Sequence, residues 1–337
     1  MKIREVAQLL CVDQALVSKF ESGTRFPTED QVKRLAEILS INPDIILVIW
    51  LKEKVMREVS AYGQLAVEAI SMVQEEMAEY KVMSNFQYSE RLEAVLNDID
   101  KLKRRLDEIR HKDNFRIAQA LELEYTFESN RIEGNTLTLR ETDLIVNEGL
   151  TISGKSMREH LEAINHRDAI DYVKELASKN TDLNEREVLT IHNLILRGIQ
   201  SEDAGKYRRV QVMIKGSTHM PPEPYFVSKQ MEDYFHWYRR FEKVLHPVVL
   251  AAEMHERLVT IHPFIDGNGR TARLVMNLIL LRHGYVIANI KGESQSRMEY
   301  YNALETVQTH QSKDAFCLFG ALVEKESLKR YLSIIDC

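Results

Sequence analysis

His262-Pro263-Phe264-Ile265-Asp266-Gly267-Asn268-Gly269-Arg270-Thr271-Ala272-Arg273 is the stretch on which the reading of this 337-residue chain turns. Leu250, Met254, Leu258 and Ile261 recur ahead of it at helical spacing, and Pro263 stops that helix just after His262. A second helical stripe, Leu274, Leu278 and Leu281, follows. Gly267-Asn268-Gly269 therefore falls on a turn that opens a helix, where unpaired amide N–H groups and the helix dipole make an anion site. Glycine lets the backbone approach phosphate closely and take positive φ. Arg270 and Arg273, three apart, can face one anion. Asp266 stands where a hard divalent cation bridging phosphates would want an oxygen ligand. His262 is the one side chain here that titrates near neutrality, as a general base requires. Singly, these are a helix-end histidine, a turn and a solvated arginine pair. In this order within twelve residues they specify a site that grips a polyphosphate and removes a proton beside it.

At every defined position the segment resembles the motif of the Fic family, His-x-Phe-x-Asp/Glu-Gly-Asn-Gly-Arg-x-x-Arg. The resemblance implies a mostly α fold, a multi-helix core with one β-hairpin flap. It also implies a nucleotidyltransferase that moves AMP from ATP onto a Ser, Thr or Tyr hydroxyl of a protein. His262 would then deprotonate the target hydroxyl, Phe264 would anchor the loop, and Asp266 would hold Mg²⁺ against the α- and β-phosphates. Asn268 and the amides around Gly267 and Gly269 would cradle phosphates, and Arg270 and Arg273 would stabilise charge on the β- and γ-phosphates. Such transfer depends mostly on positioning and electrostatics, so the inventory suffices in kind.

Upstream, Ser129-Asn130-Arg131-Ile132-Glu133-Gly134 puts Ser129 and Glu133 on one helix face and Gly134 at a helix C-terminus. Thr138-Leu139-Arg140-Glu141 has the form of a capping box starting the next helix. On spacing alone this is an ordinary helix end. It also resembles the Fic inhibitory motif Ser/Thr-x-x-x-Glu-Gly, which implies that Glu133 pairs with Arg273 and leaves ATP bound in a non-productive pose. In some relatives the same glutamate positions water to remove AMP again.

Gln211-Val212-Met213-Ile214 is β-prone, Lys215-Gly216-Ser217-Thr218 has turn chemistry, and His219-Met220-Pro221-Pro222 ends a second arm. The residues alone allow a surface hairpin of no function. The resemblance implies the Fic flap, which pairs with an extended target segment and places Gly216, Ser217, Thr218 and His219 near ATP. Tyr300, Tyr301 and Gln308 resemble the segment bordering adenosine, with Gln308 where relatives often carry Asn. Glu162, Asn165, His166 and Ala169 resemble the family's N-terminal helices, and Asn165 and His166 read as packing residues.

Residues 1–46 resemble the lambda repressor/Cro-type helix-turn-helix family, without its first helix. Val6, Leu9 and Leu10 suit one helix, residues 13–21 a second, and Val32, Leu35, Ala36 and Leu39 a third capped through Thr28. The resemblance implies DNA contacts from Gln14, Ser18 and Lys19. The module holds six Lys/Arg and seven Asp/Glu, a balance that gives weak phosphate attraction. DNA binding and a docking or homodimerisation role therefore both stay open. Leu92, Val95, Ile99, Leu102, Leu106 and Ile109 step as a short heptad seam, a helix lying on the core or a brief coiled coil. Ile45 to Tyr80 also reads helical, with a break near Ser84–Ser89. The expected division is a head over 1–46, a helical connector over 47–114, a Fic region over 115–325 and a tail over 326–337. Within the Fic region the inhibitory helix falls near 120–134 and the catalytic core at about 187–310.

The balance of 45 basic to 51 acidic residues carries no overall nucleic-acid signature. Cys11, Cys317 and Cys337 are too scattered for a disulfide framework, so a reducing cytoplasm is expected. No stretch reaches membrane-spanning length. The expectation is an autoinhibited protein adenylyltransferase using ATP and Mg²⁺ on protein hydroxyls, its own included. Its rivals are AMP removal by the same site and a DNA-binding regulator whose core senses nucleotide.

Overall fold

The computed structural model describes residues 2–39, 41–73, 88–110, 115–214, 216–309, 312 and 314–335. Lys215, residues 74–80 of the expected Ile45–Tyr80 helix, most of the expected break near Ser84, and Cys337 lie outside the described residues. The chain divides into two units, Met1–Ser84 and Asn85–Cys337.

In the first unit, α1 (Ile3–Leu10), α2 (Gln14–Glu21) and α3 (Glu29–Leu39) enclose Ala7, Leu10, Val17, Val32 and Ala36. Asp13 caps α2 through the Ala15 N–H, and Thr28 and Gln31 bond reciprocally at the start of α3. Leu9 and Leu39, expected among the apolar contacts, are 57% and 44% exposed. In α1 the inward positions are Ala7 and Leu10. Gln14, Ser18 and Lys19 all lie exposed along α2. Helix α4 (Pro43–Val59) starts at an Asn42 cap and runs through residue 46. Its Trp50 donates to the Pro27 carbonyl at 3.0 Å, tying α4 to the same unit.

The second unit is built around α11 (Pro247–Ile261) and α12 (Asn268–Arg282), with α8 (Met157–Ser178) and α14 (Ala315–Ile335) packed against them. Leu250, Met254, Leu258, Leu274 and Leu278 are all inaccessible, as their spacing predicts. Helix α5 (Glu90–Ile109) lies along α14 and buries Leu92, Val95, Ile99 and Leu106. The heptad seam is thus satisfied within the chain. Helix α6 (Phe115–Ile132) packs on α8 and α12 and ends where Gly134 takes φ +97°. The predicted capping box then starts α7 (Leu139–Glu148): Thr138 accepts from the Glu141 N–H, and Glu141 accepts from the Thr138 N–H. Helices α9 (Glu185–Leu196), α10 (Val227–Phe241) and α13 (Ser294–Gln308) complete the unit.

The expected β-hairpin flap is absent: no strand occurs among the described residues. Pro221 and Pro222 remove two N–H donors from the second arm. The arms are held instead by side chains reaching carbonyls. Buried Arg208 donates to the Val210, Pro222 and His262 carbonyls, and Gln211 donates to that of Pro221 at 2.9 Å.

Candidate active site

The twelve-residue segment forms a loop between α11 and α12. His262 terminates α11 in the left-handed conformation, φ 51° and ψ 57°, uncommon for a residue with a Cβ. Its ring Nδ1 lies 3.2 Å from the Val259 carbonyl. A carbonyl can only accept, so Nδ1 carries the proton and Nε2 keeps its lone pair. Burial lowers the His262 pKa; the Val259 bond opposes this and the Arg208 charge adds to it. The ring is therefore neutral, as a base must be.

Asn268 fastens the loop. Its Oδ1 accepts from the Phe264 N–H at 3.0 Å, and its Nδ2 donates to the Phe264 carbonyl at 2.9 Å. The expectation that this amide cradles phosphate is corrected: both its groups are committed to Phe264 and the residue is buried. Asn268→Ala strands two buried backbone groups, and about 2–4 kcal/mol of stability is expected to be lost, read by urea unfolding.

Asp266 is one-third exposed. It accepts from the Gly267 N–H at 2.6 Å and from Arg158 Nη2 at 2.8 Å, and it lies 3.4 Å from Arg270 Nη2. Burial raises its pKa, but Arg270, the Gly267 N–H and Arg158 outweigh this and hold it below the usual value. The Arg270 and Arg273 side chains are both almost fully buried. Arg273 donates to Ser129 Oγ and the Ser129 carbonyl, each at 3.0 Å, and to Glu133 Oε1 at 2.7 Å. The expected contact between Glu133 and Arg273 is thus formed. Desolvation opposes the Arg273 charge, and Glu133 more than restores it. Arg270 Nη1 lies 3.4 Å from Glu162 Oε1, and two further buried guanidinium donors, Arg270 Nε and Arg273 Nη1, hydrogen-bond to nothing among the described residues. Such donors suit a polyphosphate.

Among the described residues no three metal-ligating side chains converge. Asp266, a partly exposed carboxylate beside buried guanidinium donors, fits Mg²⁺, which is held through one or two carboxylates plus substrate phosphates.

Of the residues expected to border a nucleotide, one is placed in the core. Tyr300 is 2% exposed, its hydroxyl lies 3.2 Å from His255 Nε2, and Arg273 sits 6.0 Å over its ring. It supports that arginine from the core and cannot meet adenosine. Tyr301 is 42% exposed and bonds the Ile132 carbonyl beside Glu133. Gln308 donates to Thr260 Oγ1 at 3.0 Å, Thr218 to Glu305 at 3.0 Å, and His219 Nε2 bonds the Thr260 carbonyl at 2.9 Å. Gly216 takes φ +82°, and Ser217 Oγ accepts from the His219 N–H.

A family model described as Fic/DOC matches residues 182–280, and a helix-turn-helix model matches residues 1–46. Residues 182–280 are thus similar to the Fic/DOC family. The Nematostella vectensis protein adenylyltransferase Fic is 38% identical over 212 residues, covering 62% of this chain and 48% of that protein. The Drosophila melanogaster protein of the same name is 35% identical over 210 residues, covering 62% and 42%. The chain thus spans about half the length of the curated relatives it matches. Among solved structures, Fic-1 from C. elegans superposes with TM-score 0.64 at 25% identity, covering 96% of this chain and 93% of that one. A Fic domain containing signaling protein from Bacteroides thetaiotaomicron gives 0.61 at 27%, covering 72% and 95%.

Three residues that hold the loop between α11 and α12 went unread in the sequence. Arg158 pairs with the Asp266 carboxylate. His192 stacks on Phe264 with ring centroids 3.6 Å apart, donates to the Asp266 carbonyl and accepts the Gly205 N–H. Burial lowers its pKa to about 4, so it is a neutral loop support. Arg208 bridges the Val210 and Pro222 carbonyls to that of His262. Asn165 and His166 are buried among helices, as read.

Proposed function

We propose that this chain is an autoinhibited protein adenylyltransferase that moves AMP from ATP to a protein hydroxyl, its own included. The observation that carries this is the conjunction of a neutral His262 with its Nε2 lone pair kept, two buried arginines with unspent donors, and Glu133 holding one of them.

Nε2 of His262 takes the proton of the incoming Ser, Thr or Tyr hydroxyl as its oxygen attacks the α-phosphorus. The bond to pyrophosphate breaks on the opposite side. Arg270 and Arg273 bear the charge that grows on the β- and γ-phosphates. The amides around Gly267 and Gly269 hold the phosphate chain at the start of α12. Asp266 would hold Mg²⁺, whose charge neutralises the α- and β-phosphates when it is bound. Thr218, His219, Tyr301 and Gln308 border the adenosine side. While Glu133 occupies Arg273, the triphosphate cannot settle for in-line attack.

Residues 1–46 act as a helix-turn-helix head whose exposed Gln14, Ser18 and Lys19 would read DNA. Retardation of random duplex that weakens steeply with salt tests that role. No described helix is long and apolar enough to cross a membrane.

Incubating wild type, Glu133→Gly and His262→Ala with ATP labelled at the α- or γ-phosphate, with and without lysate, tests the function. Protein label from the α position alone is the expected result. Label from the γ position alone overturns it. The acid limb of the rate profile reports His262. Its depressed pKa keeps it unprotonated below the ordinary 6.5, so rate falls only under that pH. Glu133 raises that pKa, so the limb moves further acidward in Glu133→Gly.

A further inference from the structure

The second unit holds a cavity of about 220 Å³ bounded in part by the N-terminal half of α6. An apolar cavity of about 150 Å³ holds benzene, so this one takes something larger. Its apolar wall includes Ala118, Leu121, Leu281, Val286 and Ile287. Its charged groups are four cations, Arg110, Lys174, Lys291 and Arg330, against two carboxylates, Glu122 and Glu326. An amphipathic anion fits such a wall by competing for cations that carboxylates at or beyond it now hold.

Three of those cations anchor α6. Lys174 pairs with Glu122, Arg330 pairs with Glu124, and Lys291 lies 3.9 Å from both Glu124 and Glu128. The Lys174, Lys291 and Arg330 side chains are 29–42% exposed while their Glu122, Glu124 and Glu128 partners are 5–20% exposed, so an entering anion that takes a cation leaves a poorly solvated α6 carboxylate unpaired. The same helix holds the catalytic arginine at its other end. Leu121, Tyr125, Ser129 and Glu133 follow at steps of four. Leu121 lines the cavity, and Ser129 and Glu133 grip Arg273. Twelve residues of helix transmit a displacement over about 18 Å.

We propose that this cavity is a regulatory site for a small apolar carboxylate. By drawing Lys174, Lys291 and Arg330 away from the α6 carboxylates, the ligand unseats α6 and releases Arg273 from Glu133. The regulatory half of the inference rests on the adenylyltransferase reading; the binding half does not.

2-Naphthoate is the probe, with 2-acetylnaphthalene as its uncharged counterpart. Titration calorimetry on the full chain is expected to show one site. Binding is expected to weaken about tenfold or more for the neutral analogue, for Lys291→Glu and for the cavity-filling Ala118→Phe and Leu121→Trp. Two fillers are used because either could disturb α6, and their unfolding midpoints identify one that does. Naphthoate is expected to speed hydrogen exchange of the 122–132 amides. It is also expected to raise self-labelling of wild type about fivefold or more while leaving Glu133→Gly unchanged. No binding at millimolar probe, or a neutral analogue that binds as tightly, overturns the site, and binding without faster α6 exchange overturns its regulatory half. Binding with faster α6 exchange but no added self-labelling overturns its regulatory half. Should naphthoate bind and loosen α6 while Glu133→Gly takes no label at all, the site stands and the enzymatic reading falls.

Discussion

Glu133→Gly is expected to raise incorporation of α-phosphate label into the protein by about 100-fold, as removal of a competitor worth about 3 kcal/mol at a buried arginine would. The gain is bounded because Arg273 keeps its bonds to Ser129 Oγ and the Ser129 carbonyl. Those bonds orient the guanidinium without neutralising it, so the released charge meets a γ-phosphate from a preset position. Without nucleotide the variant leaves the buried Arg273 charge without its counter-ion, so it is expected to be less stable than wild type. Glu133 stands in the turn just beyond α6, so glycine there does not interrupt a helix. Quantifying label on wild type and variant at equal protein concentration checks the effect. Equal labelling would mean that the Arg273 pair does not restrain the site.

The second large effect is the loss of transfer when His262 is replaced, about 10²–10⁴-fold for removal of a positioned base. His262→Ala alone leaves an ambiguity, because the position is left-handed. His262→Asn resolves it: asparagine tolerates that conformation but cannot take a proton at neutral pH. Both variants, made in the Glu133→Gly background, are expected to lose labelling while binding ATP with unchanged affinity by calorimetry. Labelling retained by His262→Asn would remove the histidine from the chemistry.

The decisive loop was legible because its chemistry is local. A proline ends one helix, a glycine starts the next, and the arginine spacing sets the rest. The Thr138–Glu141 box was equally local, as was the seam of α5. What escaped was long-range. Arg158, His192 and Arg208 reach the loop from 108, 74 and 54 residues away, and nothing near them in sequence points there. The flap shows a different failure. Its turn chemistry and β-prone arm were present, yet Arg208 supplies the cross-links that backbone pairing would have made. Tyr300 and Tyr301 show the limit of periodicity: two adjacent aromatics on one helix point about 100° apart, and only packing decides which faces the core.

Gly269 carries one more consequence. A methyl built there would stand 2.5 Å from Glu133 Oε1 and 3.1 Å from Arg273 Nη1. Any replacement would therefore push out the restraining carboxylate and, with the same atom, shade a guanidinium donor the nucleotide needs. A mutation at this spot trades silence for disablement. Under the proposed function, a change on the α6 side of the contact frees Arg273 without that second effect.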